Sequence, residues 1–136
     1  MEYTKTNFRA EILLIEDDKP LCKILNKHLS KNHDVSCAHD AESAFNQFST
    51  SQFDLIMMDI HIGGDVDGFD IIKQIRSMAN YSKVPVIVTT GYAMQHDERE
   101  YVVKGFTKLL AKPFSIHDLS KLIEELLSSK EDADIL

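Results

Sequence analysis

With 136 residues, 43% of them hydrophobic and 27% charged, the chain is long enough for one domain with its own core and lies far from disordered compositions. A formal net charge of -7 and the lack of any basic stripe argue against direct nucleic-acid binding, which needs clustered Lys and Arg. No apolar run approaches the roughly 18 residues that span a bilayer, the polar segment 1–9 lacks a signal core, and Cys22 and Cys37 form neither a disulfide framework nor a CxxC pair, so a reduced, cytoplasmic protein without a membrane partner is expected.

The ordered pattern begins at Glu11 to Ile15, a buried strand that ends in three acids, Glu16, Asp17 and Asp18. Pro20 suits a first helical turn, and Leu21, Ile24, Leu25, His28 and Leu29 recur at helical spacing, so the first helix is predicted over residues 20–31. Asp34 to Ala38 reads as a short strand nearer an edge, and Asp40 as the N-cap of a helix carrying Ala41, Ala44, Phe45 and Phe48.

Phe53 to Asp59 is a continuous apolar run that delivers one carboxylate, Asp59, to its end, the profile of a central strand covered on both faces. A loop, Ile60 to Asp67, leads to a helix with Phe69, Ile71, Ile72, Ile75 and Met78 inside. Val84 to Thr90 is a β-branched buried strand ended by Gly91, and Met94 to Lys104 a more polar helix, with Tyr101 and Val102 inward and Gly105 as its stop. Phe106 to Ala111 reads as a fifth strand. Ser115 then caps a final helix with Asp118 as an approximate capping-box partner, and residues 129–136 as a flexible acidic tail.

Five strands alternating with five helices imply βαβ units, a parallel doubly wound sheet, and one domain over residues 10–128. Such sheets place their ligands at the carboxyl ends of the strands. There the pattern puts Glu16 and Asp17, Asp59, Thr90 and Lys112. Converging carboxylates repel unless protonated or bound to a cation, and an all-oxygen set favours Mg²⁺. With a lysine and a hydroxyl beside them, these groups suit phosphoryl transfer to a carboxylate. Singly, each has a plain reading: Asp59 as a turn residue, Lys112 as a surface lysine, Thr90 as a β-former. The six histidines show no metal-ligand spacing and mostly read as solvated surface, and the Met57–Met58 pair as core.

Glu16-Asp17, Asp59 after Leu55-Ile56-Met57-Met58, Thr90-Gly91 after Pro85-Val86-Ile87-Val88-Thr89, Lys112-Pro113-Phe114 and the turn Asp67-Gly68 together resemble the receiver domain of two-component response regulators over about residues 10–128. The resemblance implies a flavodoxin-like three-layer sandwich with strand order 2-1-3-4-5. It implies Asp59 as phosphoacceptor, Asp17 as a direct Mg²⁺ ligand, Glu16 acting mainly through a metal-bound water, and His61 as donor of a backbone carbonyl. Thr90 and Lys112 would hold phosphoryl oxygens, Gly91 would leave room for the group, and the Lys112–Pro113 peptide would be cis. Glu16 and Asp17 are preferred over Asp18, which would turn toward the helix start. Tyr92 and His61 stand where the family tunes dephosphorylation.

The implied partners are a sensor histidine kinase or a histidine phosphotransfer protein upstream and a downstream protein, with a dimer through helix four, strand five and helix five left open. No turnover of an outside metabolite is expected, and no output domain within the chain. Two features depart from the family: the loop after Asp59 lacks its usual proline and is longer, and Leu109 replaces the usual Tyr or Phe three residues before the lysine, which predicts a weaker or differently routed switch. A dehalogenase-type phosphatase would need a second acid where His61 stands, and a flavin binder a phosphate loop where the three acids stand. An unphosphorylated, binding-only receiver is the remaining alternative, with Leu109 in its favour.

Overall fold

A computed structural model describes residues 9–62, 67–91 and 97–135, with side chains to Ser128. Strands β1 (Glu11–Ile15), β2 (Asp34–Ala38), β3 (Leu55–Asp59), β4 (Val86–Thr90) and β5 (Lys108–Ala111) form one sheet in the order β2-β1-β3-β4-β5. All four pairings are parallel, as the alternation with helices demands. Helices α1 (Lys19–Leu29), α2 (Ala41–Phe48), α3 (Gly68–Ser77), α4 (Glu98–Lys104) and α5 (Ile116–Ile135) complete the order, with a 3-10 turn at Ala79–Tyr81 before β4.

Side chains alternate across each strand, so one sequence supplies two cores. Leu13, Ile15, Ile56, Met58, Val86 and Val88 face α2, α3 and α4, where Phe48, Ile72 and Tyr101 meet them. Ile12, Leu14, Leu55, Met57 and Ile87 face α1 and α5 and pack on Leu25, Leu119 and Ile123. The result is the expected three-layer sandwich. β3 and β4 are buried at every position, which is why both read as unbroken apolar runs.

Caps set the helix starts. Asp18 accepts the Leu21 N–H, Asp40 the Ser43 N–H, and Asp97 with Glu100 forms a reciprocal capping box at α4. Ser115 Oγ accepts the Asp118 N–H at 2.9 Å, as its position predicts. Gly105 ends α4 at φ 122°, a conformation that favours glycine.

Several boundaries differ from the sequence pattern for identifiable reasons. β3 begins at Leu55 rather than Phe53, because the Phe53 N–H is taken by the Tyr81 hydroxyl at 3.0 Å. β5 begins at Lys108 because the Phe106 N–H returns to the Tyr101 carbonyl at the end of α4. The expected start of the fourth helix, Met94, lies outside the described residues. The helical backbone of α5 continues through residues 129–135, where the pattern predicted a flexible tail. Ser128 to Ile135 holds neither glycine nor proline, so nothing in the chain stops a helix already nucleated upstream. Among the described residues no helix is long and apolar enough to cross a membrane.

Two polar groups hold elements together in ways the pattern did not reveal. His33, expected at the surface with the other histidines, is 4% exposed. Its Nδ1 accepts the Ala10 N–H at 3.1 Å, which leaves Nε2 to donate to Glu124 Oε2 at 2.9 Å and ties β1 to α5. The Arg76 guanidinium gives Nε and Nη2 to the Gly105 carbonyl at 2.9 and 2.7 Å, and Nη1 to the carbonyls of Val84 at 2.6 Å and Tyr81 at 3.1 Å. It closes the gap between α3, the end of α4 and the start of β4. Arg76→Met leaves three carbonyls without their charged donor and is expected to cost about 3 kcal/mol. Urea unfolding checks this, and an unchanged midpoint would mean that water replaces the guanidinium.

Candidate functional site

The register of the parallel sheet brings the strand ends together: Ile15 pairs with Met58, Asp59 with Thr89, and Thr90 with Ala111. The residues next along the chain therefore emerge at one edge. Glu16 and Asp59 are 4% and 7% exposed, whereas Asp17 is exposed. One carboxylate oxygen from each of Glu16, Asp17 and Asp59 lies within 4.8 Å of the other two.

Lys112, arriving from the loop after β5, gives its Nζ to Glu16 Oε1 at 2.9 Å and to Asp59 Oδ2 at 3.1 Å. The second oxygen of each acid is held by backbone: Asp59 Oδ1 accepts the His61 N–H at 2.9 Å, and Glu16 Oε2 the Asp18 N–H at 3.2 Å. Asp18 itself turns to cap α1, leaving Glu16 and Asp17 as the acids of the cluster. The Lys112–Pro113 peptide is cis.

Burial raises the Glu16 carboxyl above the usual carboxylate range, opposed by the Lys112 hydrogen bond and reinforced by the charge of Asp59. Burial pulls Lys112 the other way, but hydrogen bonds and charge from Glu16 and Asp59 outweigh it, and its ammonium form is held above the ordinary lysine value. The site thus carries one cation against three converging acids.

Thr90 is fully buried at the end of β4. Its hydroxyl shares a hydrogen bond with the hydroxyl of Tyr101 in α4, which opposes the upward push of burial on that phenol. The Tyr101 ring stacks on Phe69 at 5.6 Å and meets Phe106 edge-on at 6.1 Å. Beside Thr90 there is open space among the described residues: a Cβ added at Gly91 would meet none of their atoms within 4 Å. Gly68 is the reverse, since a Cβ there would sit 2.8 Å from the Ile60 carbonyl oxygen, so only glycine lets α3 start against the loop that follows Asp59.

All of the expected residues, Glu16, Asp17, Asp59, His61, Thr90 and Lys112, come together at this edge. Residues 63–66 and Tyr92 lie outside the described residues. Two contributors were missed. The Tyr101 hydroxyl was hidden because helical spacing marked the residue only as an inner face. His39, whose Nδ1 lies 3.0 Å from the Glu16 carbonyl, was hidden because β2 carries no motif.

A sequence profile for the response regulator receiver domain matches residues 12–124. The chain belongs to that family. Receiver domains are signalling modules of two-component systems rather than metabolic enzymes. The transcription factor SKN7 of Candida albicans is 32% identical over 128 residues, which is 93% of this chain but 22% of that protein. This receiver therefore spans about a fifth of that relative's length. The receiver domain of Francisella response regulator 1452 superposes with a TM-score of 0.81 at 24% identity, over 90% of this chain and 99% of that one. The receiver domain of the sensor histidine kinase PA1611 of Pseudomonas aeruginosa, which holds a magnesium ion in its active-site cleft, superposes with a TM-score of 0.76 at 27% identity, over 89% and 99%.

Lys112→Met would strip the cation from two buried carboxylates, with an expected loss of about 3 kcal/mol at neutral pH. The loss should shrink as pH falls, because the Glu16 carboxyl, already raised by burial, takes up a proton and no longer needs the cation. In the native receiver the folded Lys112 value is raised, so its contribution is complete below the ordinary lysine value and fades only as pH climbs through the raised one. Denaturant midpoints of both proteins across the acid range check the first effect, and equal destabilisation at both ends would remove the acids as its cause.

Proposed function

We propose that this receiver accepts a phosphoryl group on Asp59 from the phosphohistidine of a sensor histidine kinase or histidine phosphotransfer protein. The observation that carries the reading is the setting of Asp59: buried at a strand end, one oxygen on the Lys112 ammonium, the other on the His61 N–H, beside two further acids. A carboxylate oxygen attacks phosphorus while the bond from phosphorus to the donor imidazole nitrogen breaks, leaving an acyl phosphate and a free imidazole. Lys112 balances charge on one phosphoryl oxygen and the Thr90 hydroxyl donates to another. The open space at Gly91 suits the entering group.

The donor set also fits a hard cation. Glu16, Asp17 and Asp59, with the His61 backbone carbonyl, would hold Mg²⁺, which supplies charge neutralisation to the group in transfer. Slow return of the phosphoryl group to water is part of the same self-catalysed chemistry. The altered surface is offered to partners, or to a second copy, on the face of α4, β5 and α5, where Val102 and Val103 are 48% and 83% exposed.

The route to that face runs through Tyr101 rather than β5. Leu109 has neither ring nor hydroxyl, but its N–H is held by Glu98 Oε2 of α4 at 3.0 Å, and Tyr101 of the same helix already bonds Thr90. A phosphoryl group that recruits the Thr90 hydroxyl competes with Tyr101 for it and so acts on α4 directly.

Intact mass after incubation with acetyl phosphate tests the chemistry. The native chain is expected to gain one phosphoryl group only with Mg²⁺, and Asp59→Asn none. No gain in any condition would leave the binding-only receiver. For the route, Tyr101→Phe should still be phosphorylated, while the amide shifts that a phosphoryl mimic induces along α4 shrink well below those of the native chain. Undiminished shifts would rule Tyr101 out.

A further inference from the structure

On the other side of β1 from Asp59 lies a second pair of reactive groups. The chain's two cysteines, Cys22 of α1 and Cys37 of β2, are both free thiols. They are fifteen positions apart in the chain, yet the fold brings both to the α1 side of the core and to the lining of one cavity. Cys22 is buried, and its S–H also reaches the Glu16 carbonyl at 3.7 Å. Cys37 is half-buried, and its sulfur accepts from Asn26 Nδ2 at 3.9 Å.

Both thiols line an open cavity of about 860 Å³. Three exposed lysines, Lys19, Lys23 and Lys27, and the half-buried His39 share that lining, and among the described residues no acid does. The cavity is therefore cationic on a chain whose net charge is -7. A metal reading fails, because among the described residues the one cluster of three or more candidate ligands is the acid site. What remains is a vicinal dithiol at the floor of a positively charged pocket.

We propose that Cys22 and Cys37 form a thiol–disulfide exchange site for anionic low-molecular-weight disulfides of the glutathione class, with Cys37 attacking and Cys22 resolving. The Cys37 thiolate attacks one sulfur of the disulfide, forming a mixed disulfide and releasing one small thiolate. Cys22 then gives its proton to solvent base and attacks the Cys37 sulfur, forming the Cys22–Cys37 bond and releasing the second small thiolate. The protein loses two protons and two electrons, and the small disulfide becomes two thiols. An excess of the small thiol reverses both steps.

The division of labour follows from position. Both sulfurs line the cavity, but Cys37 is half-buried and meets solvent there, whereas Cys22 is 2% exposed and meets a disulfide once it is joined to Cys37. The lysines supply the preference for carboxylate-bearing partners. Neither sulfur belongs to the acid cluster.

The test uses the full chain, reduced and then exposed to glutathione disulfide or to the neutral 2-hydroxyethyl disulfide. Each rate is normalised to that of the same chain unfolded in urea. Intact mass should show the native chain losing two hydrogens without a lasting adduct. Cys22→Ser should retain one glutathione on Cys37, and Cys37→Ser should stay unmodified. Glutathione disulfide should react about tenfold faster than the neutral probe after normalisation, and joint Lys19→Gln, Lys23→Gln and Lys27→Gln substitution should erase that ratio. A native chain that reacts no faster folded than unfolded, a first adduct mapped to Cys22, or equal normalised rates for the two probes would each overturn the proposal. The native-chain arm needs no substitution, so it stands even if a variant fails to fold.

Discussion

Two carboxylates buried at the edge of a sheet cannot both ionise without a cation, and in this receiver the cation is Lys112. Its ammonium lies 2.9 Å from Glu16 and 3.1 Å from Asp59, residues delivered by two different strands. The arrangement holds charge where burial opposes it, and that is its chemical use. A carboxylate kept partly desolvated and partnered on both oxygens is oriented before any donor arrives. Asp17, the exposed third acid, completes a donor set that one lysine leaves net negative and open to a further cation.

The sheet makes this geometry available at low cost elsewhere. Because every pairing is parallel, the loops that follow β1, β3 and β5 bring Glu16, Asp59 and Lys112 to one edge, and the interior stays apolar on both faces. At the opposite edge the polar work is structural: His33 joins β1 to α5, and Arg76 collects three carbonyls from the lead into β4 and the end of α4. The aromatic trio of Phe69, Tyr101 and Phe106 connects the two functions, packing α3, α4 and the lead into β5 while bringing a phenol to Thr90. An aromatic residue bonded to Thr90 thus stands on α4, although β5 offers Leu109 where an aromatic residue is usual in the family.

The thiol pair follows the same logic on the α1 side. β2 is an edge strand whose middle residues are only half-buried, so Cys37 meets solvent through a cavity while Cys22 is covered. His39 contacts the Glu16 carbonyl and also lines the thiol cavity, which makes the loop after β2 a shared wall of both sites.

The primary structure by itself determined the fold class, the order of elements and the residues of the acid, hydroxyl and lysine site. Strands buried on both faces must be written as apolar runs, and the groups that end them stand out against that background. Asp59 after Met57-Met58 and Glu16 after Leu14-Ile15 are legible for that reason, as is Asp18 as a cap. Only the tertiary structure decided which groups meet without a local signal. Nothing near Tyr101 in the chain points to Thr90, nothing near Cys22 points to Cys37, and His33 resembles any surface histidine until Ala10 and Glu124 close around it. Periodicity reports which face of an element is apolar. A hydrogen bond between two elements depends on their separation and crossing angle, and those are set by packing that no single segment encodes.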